Sequence, residues 1–187
     1  FSVRMFSTCL VTCIAILYLF TLYLKNRGYL PYVNASHFHD LGKFMFAFSI
    51  FWTYIWFSEF LLIWYANIPE EGLYFYKRMN EYPVTFFALV AINFLMPFFI
   101  LLSRGNMRHT PTMAFVAFVI IFGHGLDVFL AVMPGTLQEF GNYGIMELGM
   151  HILFLGLFML VTASVLGKAA IVPKNHPYIK ESLYHQY

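Results

Sequence analysis

Five ionisable side chains, Glu59, His124, Asp127, Glu147 and His151, lie in stretches apolar enough to cross a bilayer, where burying a charge is costly and usually serves a purpose. Their spacing suggests which one. His124 and Asp127 are three residues apart, and Glu147 and His151 four. Those separations put side chains on one face of a helix. Each of two helices would then present an acid and an imidazole together. If both faces meet Glu59 in a bundle interior, the five groups form a chain able to pass protons. Two other chemistries compete. The same set can be a polar knot that fixes helix packing, each imidazole donating to its neighbouring carboxylate. His124 and His151, on different helices at similar depth, could instead ligate a haem iron. One intramembrane His per helix limits that to a single haem, and a carboxylate one turn from each suits a proton partner better than an axial ligand.

The elements that position these groups follow from composition. Of 187 residues, 60% are hydrophobic and 11% charged, against roughly 25% charged in soluble domains. A span needs about 20 mainly apolar residues, and five segments qualify, near 3–24, 43–66, 83–103, 111–133 and 143–167. The expected fold is an all-α polytopic transmembrane bundle over 1–167, followed by a basic tail at 168–187. Breakers punctuate it: Gly28 and Pro31 after the first segment, Asn67 and Pro69 after the second, Pro83 and Pro111 at the starts of the third and fourth, and Met133, Pro134 and Gly135 after the fourth. The run 86–102 is apolar on every side, unlike the strict alternation of a membrane β-barrel strand. Pro97, inside the third span, should kink that helix or free a carbonyl.

Lys and Arg set the expected orientation. The first loop, third loop and tail hold eight basic residues, and the other side holds three, Arg4, Lys77 and Arg78. The positive-inside rule places the first group, and with it the C-terminus, in the cytoplasm. At about 1.5 Å rise per residue, Glu59 then lies roughly 10 Å, His124 roughly 13 Å, Asp127 roughly 9 Å, Glu147 roughly 6 Å and His151 roughly 12 Å below the outer helix ends. All five fall in the outer half of the membrane. A formal net charge of +2 gives no reason to invoke nucleic acid, whereas the basic tail suits anionic lipid head groups.

Other features carry less. Cys9 and Cys13 are one turn apart in the first span, and two thiols alone complete no structural zinc site. His37, His39 and Asp40 precede the second span, where Asp40 reads as a helix cap ahead of a metal ligand. Glu70, Glu71, Lys77, Arg78 and Glu81 make the second loop a mixed-charge outer surface suited to an extrinsic partner, though a solvated loop is the default. Trp52 and Trp56 suit helix packing or, alternatively, stacking on a flat quinone ring. No phosphate-cradling glycine loop, C-x-x-C pair or nucleophile elbow is visible. The chain begins at Phe1, enters an apolar run at once, and reads as a piece of a longer protein, not as a signal peptide.

Two blocks carry a family resemblance. The run 37–48, beginning His37-Phe38-His39-Asp40-Leu41-Gly42-Lys43, continues through Trp52-Thr53-Tyr54, Trp56-Phe57-Ser58-Glu59-Phe60 and Trp64-Tyr65-Ala66-Asn67-Ile68-Pro69-Glu70-Glu71. It resembles the F subunit of bacterial alternative complex III, a polysulfide-reductase-like (NrfD-type) membrane subunit of a quinol:electron acceptor oxidoreductase. Gly123-His124-Gly125-Leu126-Asp127, followed by Val132-Met133-Pro134-Gly135, is similar to the next polar helix of that family. The likeness extends over about 25–167. It implies an inner-membrane respiratory complex that oxidises menaquinol and passes electrons, through extrinsic iron–sulfur and cytochrome c (haem c) subunits, to cytochrome c or a terminal oxidase. The F subunit itself is expected to carry no haem or iron–sulfur, to sit beside a sister NrfD-like subunit, and to supply a proton route. The family's polar membrane residues carry over to Glu59, His124 and Asp127, with Glu147 and His151 following by position. The family's subunit is about twice this length, with roughly ten helices, so this chain corresponds to its second half.

Overall fold

The computed structural model describes residues 2–136 and 144–168, together with 171, 177, 178 and 181. Residues 137–143, which hold most of the expected fourth loop, and most of the basic tail, including Lys174 and Lys180, lie outside the described residues. Five helices are long and apolar enough to cross a membrane: α1 (Ser2–Asn26), α2 (Ala35–Ala66), α4 (Pro83–Leu101), α6 (Thr110–Thr136) and α7 (Ile145–Leu166). Two short helices join them, α3 (Pro69–Glu81) and α5 (Arg104–Arg108). The protein is an all-α, multi-pass membrane bundle, with no strand among the described residues.

Helix ends show where local chemistry departs from expectation. α2 begins at Ala35, because Asn34 accepts from the Ser36 and His37 amides at 2.9 and 3.2 Å while the Asn34 amide donates to His37 Nδ1 at 3.2 Å. That reciprocal cap satisfies amides a helix start otherwise leaves open. Asp40 is therefore not the cap; it lies inside the helix, 3.1 Å from Lys43 Nζ. The region from 69 to 81 is no open loop but a helix. Pro69 opens it, Glu70 and Glu71 occupy its first turn and Arg78 its last, matching the helix dipole at both ends. α6 continues through Pro134 to Thr136, although the proline has no N–H to bond the carbonyl four residues back.

Within α4, residues Ala91–Leu95 form a π turn, and the Met96 amide bonds to the Ala91 carbonyl. Pro97 explains its position. The ring lacks an N–H and would strike the carbonyl four residues back in a regular helix, and the wider turn relieves both problems. The π turn also brings Asn93 to face Gly123 of α6. A Cβ on Gly123 would overlap Asn93 Oδ1 and lie 2.6 Å from Ile92 Cγ2.

α6 packs against α1, α3, α4 and α5, and α2 against α1 and α4. The shared core is aliphatic and sulfur-rich at one end (Met45, Met113, Val116, Ile120) and aromatic toward the α3 end (Trp52, Trp56, Phe86). α7 contributes no buried residue. It is apolar around its circumference, as suits a helix whose surroundings are hydrocarbon.

Candidate functional site

The polar centre lies toward the α3 end of the bundle and is organised by α1. Arg4, Ser7, Thr8, Val11, Ala15 and Tyr18 form the buried face of that helix, a stripe at three- and four-residue spacing whose first turns are polar. Arg4 and Thr8, one turn apart, each hold an acid from another helix. Arg4 Nη1 lies 3.1 Å from Glu59 Oε2 on α2, with Arg4 1% and Glu59 20% exposed. The Thr8 hydroxyl donates to Asp127 Oδ2 on α6 at 3.0 Å.

Trp52 closes this arrangement. Its indole N–H donates to Thr8 Oγ1 at 2.9 Å and reaches Asp127 Oδ2 at 3.3 Å. One carboxylate oxygen therefore collects two donors, while Oδ1 has no hydrogen-bond partner among the described residues. The other indole face of the network meets His124, whose ring stands edge-on to Trp52 at 5.2 Å between centroids. His124 and Asp127 are both buried, 3% and 0% exposed. No hydrogen bond joins them, and His124 Nδ1 has no partner among the described residues. Trp52 and Trp56 stack on one another at 6.3 Å, and Trp56 packs on Phe86 at 5.6 Å, so both indoles are core residues.

A second arginine enters from α3. Arg78 is fully buried, with its guanidinium 5.4 Å from the Tyr74 ring centre and 5.1 Å from that of Phe75. Burial pushes its pKa below the ordinary arginine value, and the like charge of Arg4 acts the same way, while Tyr74, Asp127 and Glu59 oppose them. Arginine stays protonated at neutral pH even so. α3 is held in place by the Tyr74 hydroxyl, which donates to the Ala131 carbonyl at 2.6 Å, and by Lys77 Nζ, 3.4 Å from the Pro134 carbonyl.

Of the five residues singled out by spacing, the structure gathers three, Glu59, His124 and Asp127, and leaves two apart. Glu147 Oε2 accepts from the Gly144 amide at 2.8 Å, capping α7. His151 Nδ1 lies 2.8 Å from the Glu147 backbone carbonyl. The expected acid–imidazole coupling on α7 thus gives way to helix-end bonding, because a carboxylate in the first turn finds free amides closer than the next turn's ring. α7 does touch α6: a Cβ on Gly125 would lie 3.2 Å from His151 Nε2.

Sequence spacing missed Arg4, Thr8 and Arg78 as members of the site. The α1 stripe carried a signal for the first two, since polar residues there share a face with Val11 and Ala15. Nothing local marked Arg78, which reads as a loop cation until α3 folds inward. Elsewhere, among the described residues, no three His, Cys, Asp or Glu side chains gather as a metal ion would need. Chemically, the site offers two acids of different accessibility, a hydroxyl that both donates and accepts, and an imidazole next to the same indole. The chain matches no protein-family model and no curated protein sequence at a significant level.

Proposed function

We propose that the chain is an integral membrane subunit of a bacterial respiratory quinol:electron acceptor oxidoreductase of the alternative complex III type. In this reading it lies in the inner membrane with its C-terminus cytoplasmic, beside a sister NrfD-like subunit and extrinsic iron–sulfur and cytochrome c subunits. Its part is a proton path in the outer half of the bilayer. The observation that carries the path is the graded pair of acids on α1's polar face: Glu59 partly exposed on Arg4, and Asp127 fully buried on Thr8 and Trp52 beside His124. A proton arriving at Glu59 has acceptors further in, and intramembrane ionisable groups at this density commonly mark such routes. The resemblance over 37–71 and 123–135 supports the respiratory setting.

Glu147 and His151 belong to this path only through the contact of His151 with Gly125. They are peripheral candidates at the side of the bundle, and Glu59, Asp127 and His124 the central ones. Glu59→Gln and Asp127→Asn keep shape and hydrogen bonding but cannot ionise. In the assembled complex, each is expected to lower quinol-driven proton release at least about a hundredfold, the lower edge of what a proton-transfer group contributes. Unaltered release in both variants would contradict the path.

A second reading has an observation in its favour. The Arg4–Glu59 contact and the Thr8–Trp52–Asp127 bonds would also serve a structural knot in a subunit that anchors its partners without conducting protons. Under that reading the amide variants fail at assembly, because a neutral amide holds Arg4, Thr8 and Trp52 more weakly than the carboxylate does.

A further inference from the structure

Charge and contact do not match in the polar centre. It holds two cations, Arg4 and Arg78, and two acids, Glu59 and Asp127, so the site is balanced. Arg4 pairs with Glu59. Arg78 is fully buried, and none of its three guanidinium nitrogens has a hydrogen-bond partner or a carboxylate within ion-pair distance among the described residues. Asp127 is equally buried, and its Oδ1 is unmet as well. Unbalanced charges at such depth are strongly disfavoured, and polar groups that protein leaves unmet in an interior are commonly bonded by buried water.

We infer that Arg78 is the counter-charge of Asp127, joined to it through buried water, and that α3 therefore supplies a positioning residue to the proton site. Two carboxylates act on Arg78, Asp127 and Glu59, and Glu59 already holds Arg4, which leaves Asp127; Glu81 on α3 also has a buried unmet oxygen but is not among the charges acting on Arg78. The charged and titratable groups that act on Arg78 come from four helices: Arg4 on α1, Glu59 on α2, Tyr74 on α3 itself and Asp127 on α6. Arg4 acts on it as a like charge and the two acids as opposite ones. The anchoring of α3 fits this role. Tyr74 and Arg78 share one face of α3 at four-residue spacing, and the carbonyl that Tyr74 grips belongs to Ala131, one turn beyond Asp127 on α6. α3 would thus be more than a connector lying on the bundle. It would carry a charge into the interior and fix it there.

The consequence for function rests on the proposed role of Asp127, but the pairing can be tested by itself. Arg78→Gln, Asp127→Asn and the double variant are compared by thermal unfolding of the full chain in lipid nanodiscs. Each single change leaves one buried charge unbalanced and is expected to lower the midpoint by about 5 °C or more. The double variant removes both charges and is expected to melt above the worse single variant. Losses that simply add would overturn the pairing. Where Arg78→Gln alone does not assemble, assembly of the double variant is the supporting result, and its failure overturns the pairing. Arg78→Lys keeps the charge, and in the assembled complex it is expected to retain proton release that Arg78→Gln loses; equal loss in both overturns the positioning role. If Asp127→Asn leaves proton release unchanged while the double variant still regains stability, the proton path fails and the pairing stands.

Discussion

Gly123→Ala is expected to destabilise the bundle by about 3 kcal/mol or more, the upper range for forcing atoms into a packed interior. A methyl group there would overlap Asn93 Oδ1 and sit 2.6 Å from Ile92 Cγ2. Neither neighbour has an easy retreat. Asn93 is 1% exposed and lies in the π turn, whose place is fixed by Pro97, and Ile92 is its neighbour in the same turn. The cost falls on the approach of α4 to α6, and hence on the helix that carries His124 and Asp127. Chemical unfolding in mild detergent checks this, with Gly135→Ala as the comparison, because nothing lies within 4 Å of a Cβ at that position. A stability loss confined to Gly123 is the expected outcome.

Arg4→Gln is expected to cost about 3 kcal/mol, the low end for removing one partner of a buried ion pair. The low end applies because Glu59 is 20% exposed, so part of its unbalanced charge can be rehydrated. Arg4 itself cannot be, being 1% exposed. The pair is thus asymmetric: loss of Glu59 strands a buried cation, whereas loss of Arg4 strands a carboxylate nearer the surface. Unfolding free energies for Arg4→Gln, Glu59→Gln and the double variant measure this. The double variant is expected to fall well short of the sum of the single losses.

Much of the bundle is legible from the chain because lipid imposes a simple rule: a spanning segment must be apolar and helical. The run 86–102, the prolines at 83 and 111 and the low charge content lead directly to five helices. Ends are harder, since they turn on local competition. Asn34 outcompetes Asp40 as the cap of α2 by engaging the Ser36 and His37 amides, a choice made by side-chain geometry and not by the start of the apolar run. Spacing places His124 and Asp127 on one helix face, and the structure buries both there, though without a hydrogen bond between them. What holds them in place is not readable from spacing. Thr8 is distant by 119 residues from Asp127, and Arg78 becomes interior only when α3 folds as a helix against Ala131. Contacts of that range depend on how elements dock, which periodicity within one element does not encode. On α7 the periodicity of Glu147 and His151 was present, but the helix start claimed the carboxylate.

The polar centre also bears on how the two readings of the site relate. The bonds that would make it a structural knot are those that would hold a proton path rigid: Trp52 and Thr8 fix one oxygen of Asp127, and the other has no partner among the described residues. In either reading Oδ1 is the oxygen that the pairing with Arg78 assigns to buried water.

Infrared difference spectroscopy of the complex, quinol-reduced minus oxidised, tests the central claim most directly, because it registers a proton on a carboxyl group itself. A carboxyl C=O band that changes with turnover and is lost in Asp127→Asn or Glu59→Gln is the result predicted. Difference spectra without any carboxyl band sensitive to either substitution, from complexes that assemble and turn over normally, would contradict a proton path through these acids.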